Sequence, residues 1–276
     1  MDPIRVDAAA VPAFAGSVPE CYQRYFVPLI FEPYAVDLAR RAARRQPSRV
    51  LELAAGTGVV TRHLAEMLPS AVPIVATDLS QAMLDQAAAE GIARPVEWQQ
   101  ADAMNLPFPD ASFDLVLCQF GVMFFPDKAH AYAEARRVLQ PGGQFIFSVW
   151  DRIEENDFAN AVTGTLASVF PDDPPDFMAR IPHGYHDLDA IADDLRRGGF
   201  AREAEMATLA SRSRAASARM AALAYCQGSP VRGEIESRGP SRIAEVTDTV
   251  TAALADRFGD GAVDGKIQAH VIAVEA

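Results

Sequence analysis

This sequence predicts an open α/β fold, a mostly parallel sheet with helices on both faces. Three observations predict it. From about position 49 to 150, short apolar runs rich in β-branched residues alternate with segments of helical period, the pattern of strand–helix–strand units that lie side by side. The first junction, Val50-Leu51-Glu52-Leu53-Ala54-Ala55-Gly56-Thr57-Gly58, joins an apolar strand to a helix start through an acid and a pair of glycines. An acid also closes each of the next two strands, at Asp78 and Asp102.

The elements follow in order. Before Val18 the chain carries Asp2, Asp7 and several prolines but no long apolar run, so the sequence predicts a flexible start with neither signal peptide nor anchor. Helical pieces are expected from Glu20 to Arg45, broken by Pro28 and Pro33. The alternating units come next: strand 49–53, helix 58–68, strand 73–78, helix 81–90 capped by Ser80, and strand 96–101. Strand 113–119, helix 127–139 and strand 143–150 complete them. Past Trp150 the pattern breaks into a Pro- and Asp-rich stretch, Asp151 to Tyr185, with one helix near Phe158 to Val169. A helix from Leu188 to Arg197 stopped by Gly198-Gly199, a strand near Phe200 to Leu209, a helical stretch from Ser217 to Phe258 and a last strand from Ile267 to Val274 finish the chain.

The first junction indicates the ligand. Small residues at 54 to 58 let the backbone turn sharply and approach a ligand, while the next helix points its N-terminal amides at the same place. Pyrophosphate suits that geometry but is repelled by a carboxylate at Glu52. A ligand with an ammonium group is attracted, and S-adenosylmethionine (SAM) carries an ammonium, a sulfonium and no phosphate. The competing dinucleotide fingerprint places a third glycine where this chain has Thr61, which counts against an NAD-type oxidoreductase. At the carboxyl edge of a parallel sheet, where ligands bind, Asp78 can accept both hydroxyls of a ribose. Asp102 can accept from an adenine amino group, with Leu79, Met83 and Ala103 as apolar walls.

These residues carry a resemblance to the class I SAM-dependent methyltransferases, and among them to the small-molecule group related to the ubiquinone/menaquinone biosynthesis methyltransferases. It runs from about Tyr22 to Trp150. It covers Glu52-x-Ala54-x-Gly56-x-Gly58, Asp78-Leu79-Ser80, Asp102-Ala103, Leu106-Pro107-Phe108-Pro109-Asp110-x-Ser112-Phe113-Asp114 and Val138-Leu139-Gln140-Pro141-Gly142-Gly143. Ala54 stands where the family commonly has the first of three glycines. The resemblance implies a Rossmann-like seven-stranded sheet whose last strand is antiparallel, an N-terminal helical lid, and helical insertions in the C-terminal part. It also implies that Glu52 holds the methionine ammonium, directly or through water, that Ala54, Gly56, Thr57 and Gly58 form the close-approach loop, and that Asp78 and Asp102 take ribose and adenine. Tyr25 is similar to the family's cofactor-contacting tyrosine, and Leu79, Met83, Ala103 and Gln119 join the cofactor-binding set. On this basis residues 1–45 form the flexible segment and lid and 46–150 the SAM-binding core. Residues 151–276 form the rest of the sheet with acceptor-site insertions, in the same domain.

The acceptor site is read from less. Transfer from a sulfonium is an in-line displacement, so the protein mainly positions the nucleophile and excludes water. Phe120, Met123 and Phe124 after the fourth strand are expected to line an apolar pocket, and His183 and His186 are the candidate general bases for an oxygen nucleophile. His63 and His130 fall within helices as packing or surface residues.

A net charge of −12 argues against nucleic acid as substrate. The arginines at 40, 41, 44 and 45 and at 212, 214 and 219 read as solvated faces. Cys21, Cys118 and Cys226 are too widely spaced for a metal site or disulfide framework, which suits free thiols in the cytoplasm. The sequence therefore predicts a methyltransferase with a small-molecule acceptor, no metal, no membrane span and no nucleic acid. The alternatives are an NAD-type oxidoreductase and a non-catalytic SAM-binding partner protein.

Overall fold

A computed structural model describes residues 18–276. The flexible start expected before Val18 lies outside the described residues. Seven strands form one sheet in the order β3-β2-β1-β4-β5-β7-β6. They are β1 (Val50–Glu52), β2 (Ile74–Asp78), β3 (Glu97–Gln100), β4 (Phe113–Gln119), β5 (Leu139–Trp150), β6 (Glu205–Ala215) and β7 (Val263–Glu275). The first five pair in parallel, and β7 runs antiparallel to both β5 and β6. The chain reverses direction across the sheet between β1 and β4, so the carboxyl ends of β1, β2 and β4 open a crevice there.

The central strands read as continuous apolar runs because both of their faces are covered. On β5, Phe145 and Phe147 meet Tyr132 of α5 (Lys128–Val138). Trp150, of opposite parity and so on the opposite face, meets Tyr34 of α2 (Glu32–Arg45) edge-on at 5.3 Å. Both sheet faces are thereby closed by aromatic contacts. The remaining core helices, α3 (Val59–Met67), α4 (Gln81–Glu90) and α8 (Leu188–Arg197), fall within a residue or two of the expected bounds.

Three elements differ from the sequence expectation. The N-terminal helix is not broken at its prolines: α1 (Val18–Cys21) leads into a π-helical segment, Tyr22–Phe31, and then directly into α2. Pro28 sits inside the wide π turns, and Pro33 sits in the first turn of α2, where the Leu29 carbonyl four residues earlier accepts from the Ser213 hydroxyl at 2.8 Å instead. β6 is longer than expected and shifted toward the C-terminus, because Arg212 and Arg214 lie on the strand and both pair with Asp264 of β7, at 2.6 and 3.0 Å. The stretch from 217 to 258 is three helices, α9 (Ala218–Gln227), α10 (Val231–Arg238) and α11 (Ile243–Phe258). Gly228-Ser229-Pro230 and Gly239-Pro240 divide it. α9 packs against the π-helical segment, Phe26 meeting Tyr225 edge-on at 5.0 Å, and α6 (Asp157–Val169), α10 and α11 pack against α9, with α7 (Phe177–Arg180) between α6 and α10.

Candidate functional site

A cavity opens at the carboxyl edge of the sheet, and its two halves are built differently. The first half is made by the ends of β1, β2 and β3 and lined by Ala54, Gly56, Asp78, Leu79, Met83, Asp102 and Ala103. The strand ends are shaped by backbone geometry. Gly58 has φ +80°, and a Cβ there would fall 2.9 Å from the Trp98 ring, so the turn admits only glycine. Ala54 also adopts a left-handed φ of 51°, which explains why glycine is common at this place and marks a strained loop.

Asp78 organises this half. One oxygen accepts from the Gly56 N–H at 2.8 Å and the other from the Ser80 N–H at 2.8 Å, so the carboxylate ties the glycine loop to the start of α4 and keeps a lone pair on each oxygen for a ligand. Asp102 accepts from the Met104 N–H at 2.8 Å and is otherwise open. Leu79 is 45% exposed, the only large apolar side chain so open among the described residues, and it lies beside the Asp78 carboxylate. With Met83 and Ala103 it gives this half an apolar wall.

Glu52 was expected to hold an ammonium group directly or through water. It does not line the cavity but lies buried behind the loop, where the Thr61 hydroxyl donates to it at 2.6 Å. Burial pushes its carboxyl up to about 8, against the Thr61 hydrogen bond and the Arg62 charge. Thr61, wholly buried, thus has its own reason to replace a packing glycine: it satisfies the acid. Thr57 and Gly58 support the loop from outside the lining. The Thr57 hydroxyl donates to the Gln23 side chain at 2.5 Å and latches the π-helical segment onto the loop.

That segment also brings a tyrosine to the cavity. Tyr22 lines it near Gly56, whereas Tyr25, expected at the cofactor, is not among the lining residues and stacks against Arg24. Burial and the Asp78 charge raise the Tyr22 phenol far above its ordinary value, so it stays neutral. The π turns of this segment set the tyrosines at other angles than an α-helix would.

The second half is apolar. Phe26, Ile30 and Phe31 of the π-helical segment, Phe120, Met123 and Phe124 after β4, and Trp150 at the end of β5 line it. Phe177, Met178 and Pro182 from the α7 region and Ser229-Pro230 between α9 and α10 close it. Phe120 holds φ 53° and lies flat on Trp150, ring centres 3.9 Å apart. Gly121 lets this turn pass the glycine loop, since a Cβ on it would lie 2.4 Å from that of Ala54 and 2.6 Å from the Cys118 sulfur. Gln119 stands at the junction of the two halves.

Neither histidine is brought to the cavity. His183 is buried, its Nδ1 bonded to the Asp151 carbonyl at 2.7 Å, and burial lowers its imidazole to about 4. His186 Nδ1 is bonded to the His183 carbonyl at 2.8 Å. His63 bridges to Glu32, and His130 to the Met104 carbonyl. No three metal-ligating side chains cluster among the described residues, and no helix there is long and apolar enough to cross a membrane.

Fold and site together define a class, and the comparisons with known proteins agree: the methyltransferase domain family matches residues 51–147. That match falls on the five parallel strands of the sheet, the part of the chain that carries the motifs. The chain is also similar to named relatives. Over 134 residues it is 42% identical to the demethylmenaquinone methyltransferase of Deinococcus radiodurans, covering 48% of this chain and 52% of the relative. Over 146 residues it is 34% identical to the ubiquinone/menaquinone biosynthesis C-methyltransferase UbiE of Stutzerimonas stutzeri, covering 51% and 56%. The chain spans about half the length of these curated relatives. Among solved structures it resembles Haemonchus contortus phospholethanolamine N-methyltransferase 2 in complex with S-adenosylhomocysteine (TM-score 0.57, 16% identity, 97% of this chain and 57% of that one). It also resembles the [4+2]-cyclase SpnF (TM-score 0.51, 21% identity, 87% and 80%). At these identities the likeness is one of fold.

Proposed function

We propose that this chain transfers the methyl group of SAM to a small, neutral, largely apolar acceptor. The observation that carries this reading is one cavity with two chemistries: carboxylates and a tight glycine loop on one side, a box of aromatic and thioether side chains on the other. The residues fit the cofactor. Asp78 offers lone pairs to two vicinal hydroxyls, Asp102 accepts from an exocyclic amine, and Leu79, Met83 and Ala103 hold the ring between them. Tyr22 closes over the loop from above, and Glu52 lies beneath it, where a bound cation favours its ionised form. Once bound, the cofactor supplies an electrophilic methyl group on a sulfonium whose sulfur leaves as a neutral thioether.

The protein's part in the transfer is position and dryness. Phe31, Phe120 and Trp150 exclude water from the place where the halves meet, and with no histidine at the cavity the rate rests on holding the acceptor in line. The curated relatives are named for quinone methylation, and an aromatic acceptor of that kind suits the flat Phe120–Trp150 wall. The free, widely spaced cysteines and the net charge of −12 support a cytoplasmic enzyme without a nucleic-acid partner.

Calorimetry tests the cofactor: SAM and S-adenosylhomocysteine should bind one to one, and NAD should give no heat. Incubation with methyl-labelled SAM and a metabolite extract, read by mass spectrometry, should give a product heavier by one labelled methyl group. Binding of NAD in preference to SAM contradicts the reading, and cofactor binding without any labelled product supports the non-catalytic alternative.

A further inference from the structure

Gln119 ends β4 where the halves of the cavity meet. Its amide nitrogen faces the Phe31 carbonyl at 3.5 Å, which fixes the orientation of the side chain, because a flipped amide would set two carbonyl oxygens against each other. In this orientation Oε1 is buried and has no hydrogen-bond partner. The residue in register with it on β5, Ser148, is 1% exposed and likewise has an unpartnered side-chain oxygen. Buried polar atoms left without partners are uncommon and costly, and two on neighbouring positions at a ligand-binding edge call for a ligand atom.

What that ligand atom is follows from its surroundings. An amide oxygen only accepts, so its partner is a donor. The carboxylates at the ends of β2 and β3 and the buried Glu52 already serve the cationic, hydroxyl-rich cofactor, whereas Gln119 is followed directly by Phe120 and held by Phe31. Ser229, also in the aromatic half, donates to the Tyr225 carbonyl at 2.6 Å and accepts from the Val231 N–H at 3.3 Å. Among the described residues that line this half, Gln119 therefore offers an unpartnered side-chain oxygen, whereas the Trp150 indole N–H can only donate.

Resting on the proposed function, we infer that Gln119 selects and orients the methyl acceptor: its side-chain oxygen takes a hydrogen bond from an O–H or N–H group on a neutral, otherwise apolar molecule. A hydroxyl or amine on an aromatic ring laid along Phe120 and Trp150 meets both demands. A hydrogen bond accepted by Gln119 also leaves more electron density on the donor atom and its ring, so the contact helps a nucleophile where the cavity holds no base.

A matched pair of probes tests this on the full chain saturated with S-adenosylhomocysteine: 2-naphthol, which carries the donor, and 2-methoxynaphthalene, which does not. The native protein should bind 2-naphthol about tenfold more tightly, the scale of one buried hydrogen bond with an otherwise orphaned partner. Gln119→Met, which keeps the volume and removes the oxygen, should abolish the preference. Because Gln119 was also expected among the cofactor-binding residues, affinity for S-adenosylhomocysteine is measured in the same variant, and a change within about twofold keeps the oxygen for the acceptor. Equal affinity of the native protein for the two probes, binding of neither, or a preference that survives Gln119→Met overturns the inference. So does a large loss of S-adenosylhomocysteine affinity in Gln119→Met, which would assign the oxygen to the cofactor. The native matched pair decides even where a variant misfolds. Failure of the native chain to bind S-adenosylhomocysteine would instead refute the proposed function.

Discussion

The two halves of the cavity are made by different means. The proposed cofactor side comes from the ends of three strands within about fifty residues of chain, and its shape is held by hydrogen bonds that one carboxylate, Asp78, accepts from the amides of Gly56 and Ser80. The acceptor side draws on the π-helical segment, the ends of β4 and β5, the α7 region and the α9–α10 junction, joined by aromatic contacts. One side is specified by backbone turns and charge, the other by long-range packing.

If that division is real, damage to one side should leave the other intact. The largest effect is expected at Asp78. Asp78→Ala removes the ribose acceptors and frees two loop amides, costing about 1.5–3 kcal/mol of cofactor binding, roughly tenfold to a hundredfold in affinity. Calorimetry showing an unchanged SAM affinity would break the comparison at its firmest point. Next comes Gly121, where the halves touch. Gly121→Ala forces a methyl group into Ala54 and Cys118 and should cost about 1–3 kcal/mol of stability, with weaker cofactor binding, in denaturant titrations.

The same division explains what could be read from the sequence. Glu52, Ala54, Gly56, Asp78 and Asp102 were legible because strand, turn and acid are neighbours in the chain, and β1 to β5 followed from local alternation. Tyr25 was chosen on the resemblance, and that Tyr22 lines the cavity instead depends on the π turns of its segment, which no local spacing announces. Glu52 was visible as an acid, but its place behind the loop depends on the Thr61 hydroxyl nine residues later, a pairing no spacing rule announces. The histidines were chosen for their chemistry, and only the tertiary structure shows His183 committed to the Asp151 carbonyl. Phe177, Met178 and Pro230 reach the cavity from more than fifty residues beyond β4 or further, so the expectation of a cap could name their segments and not the residues.

A smaller effect sharpens the account of the loop. The Glu52 carboxyl is raised in the folded chain from 4.5 to about 8, so its stabilising contribution is complete below the unfolded value and is lost as pH rises through 8. His183 has the opposite sign: lowered from 6.5 to about 4, it loses stability as pH falls between those values. Between pH 6.5 and 8 the Glu52 contribution should make the ligand-free protein less stable with rising pH, on the order of 1 kcal/mol. Glu52→Gln should remove that part of the slope in guanidinium unfolding curves, and an identical slope in the variant would argue that the acid is already ionised. The smallest effect is expected across the divide: Phe177→Ala opens the acceptor side and should leave SAM affinity within about twofold, while a larger loss would show that the halves are coupled.

The central claim, that one cavity holds cofactor and acceptor on chemically separate sides, is met most directly by a crystal structure with S-adenosylhomocysteine. The account predicts ribose hydroxyls on Asp78, the adenine between Leu79, Met83 and Ala103 with its amine toward Asp102, and the sulfur directed at the aromatic box beside Gln119. A ligand lying among Phe26, Phe120 and Trp150, or density that avoids Asp78 altogether, would contradict it.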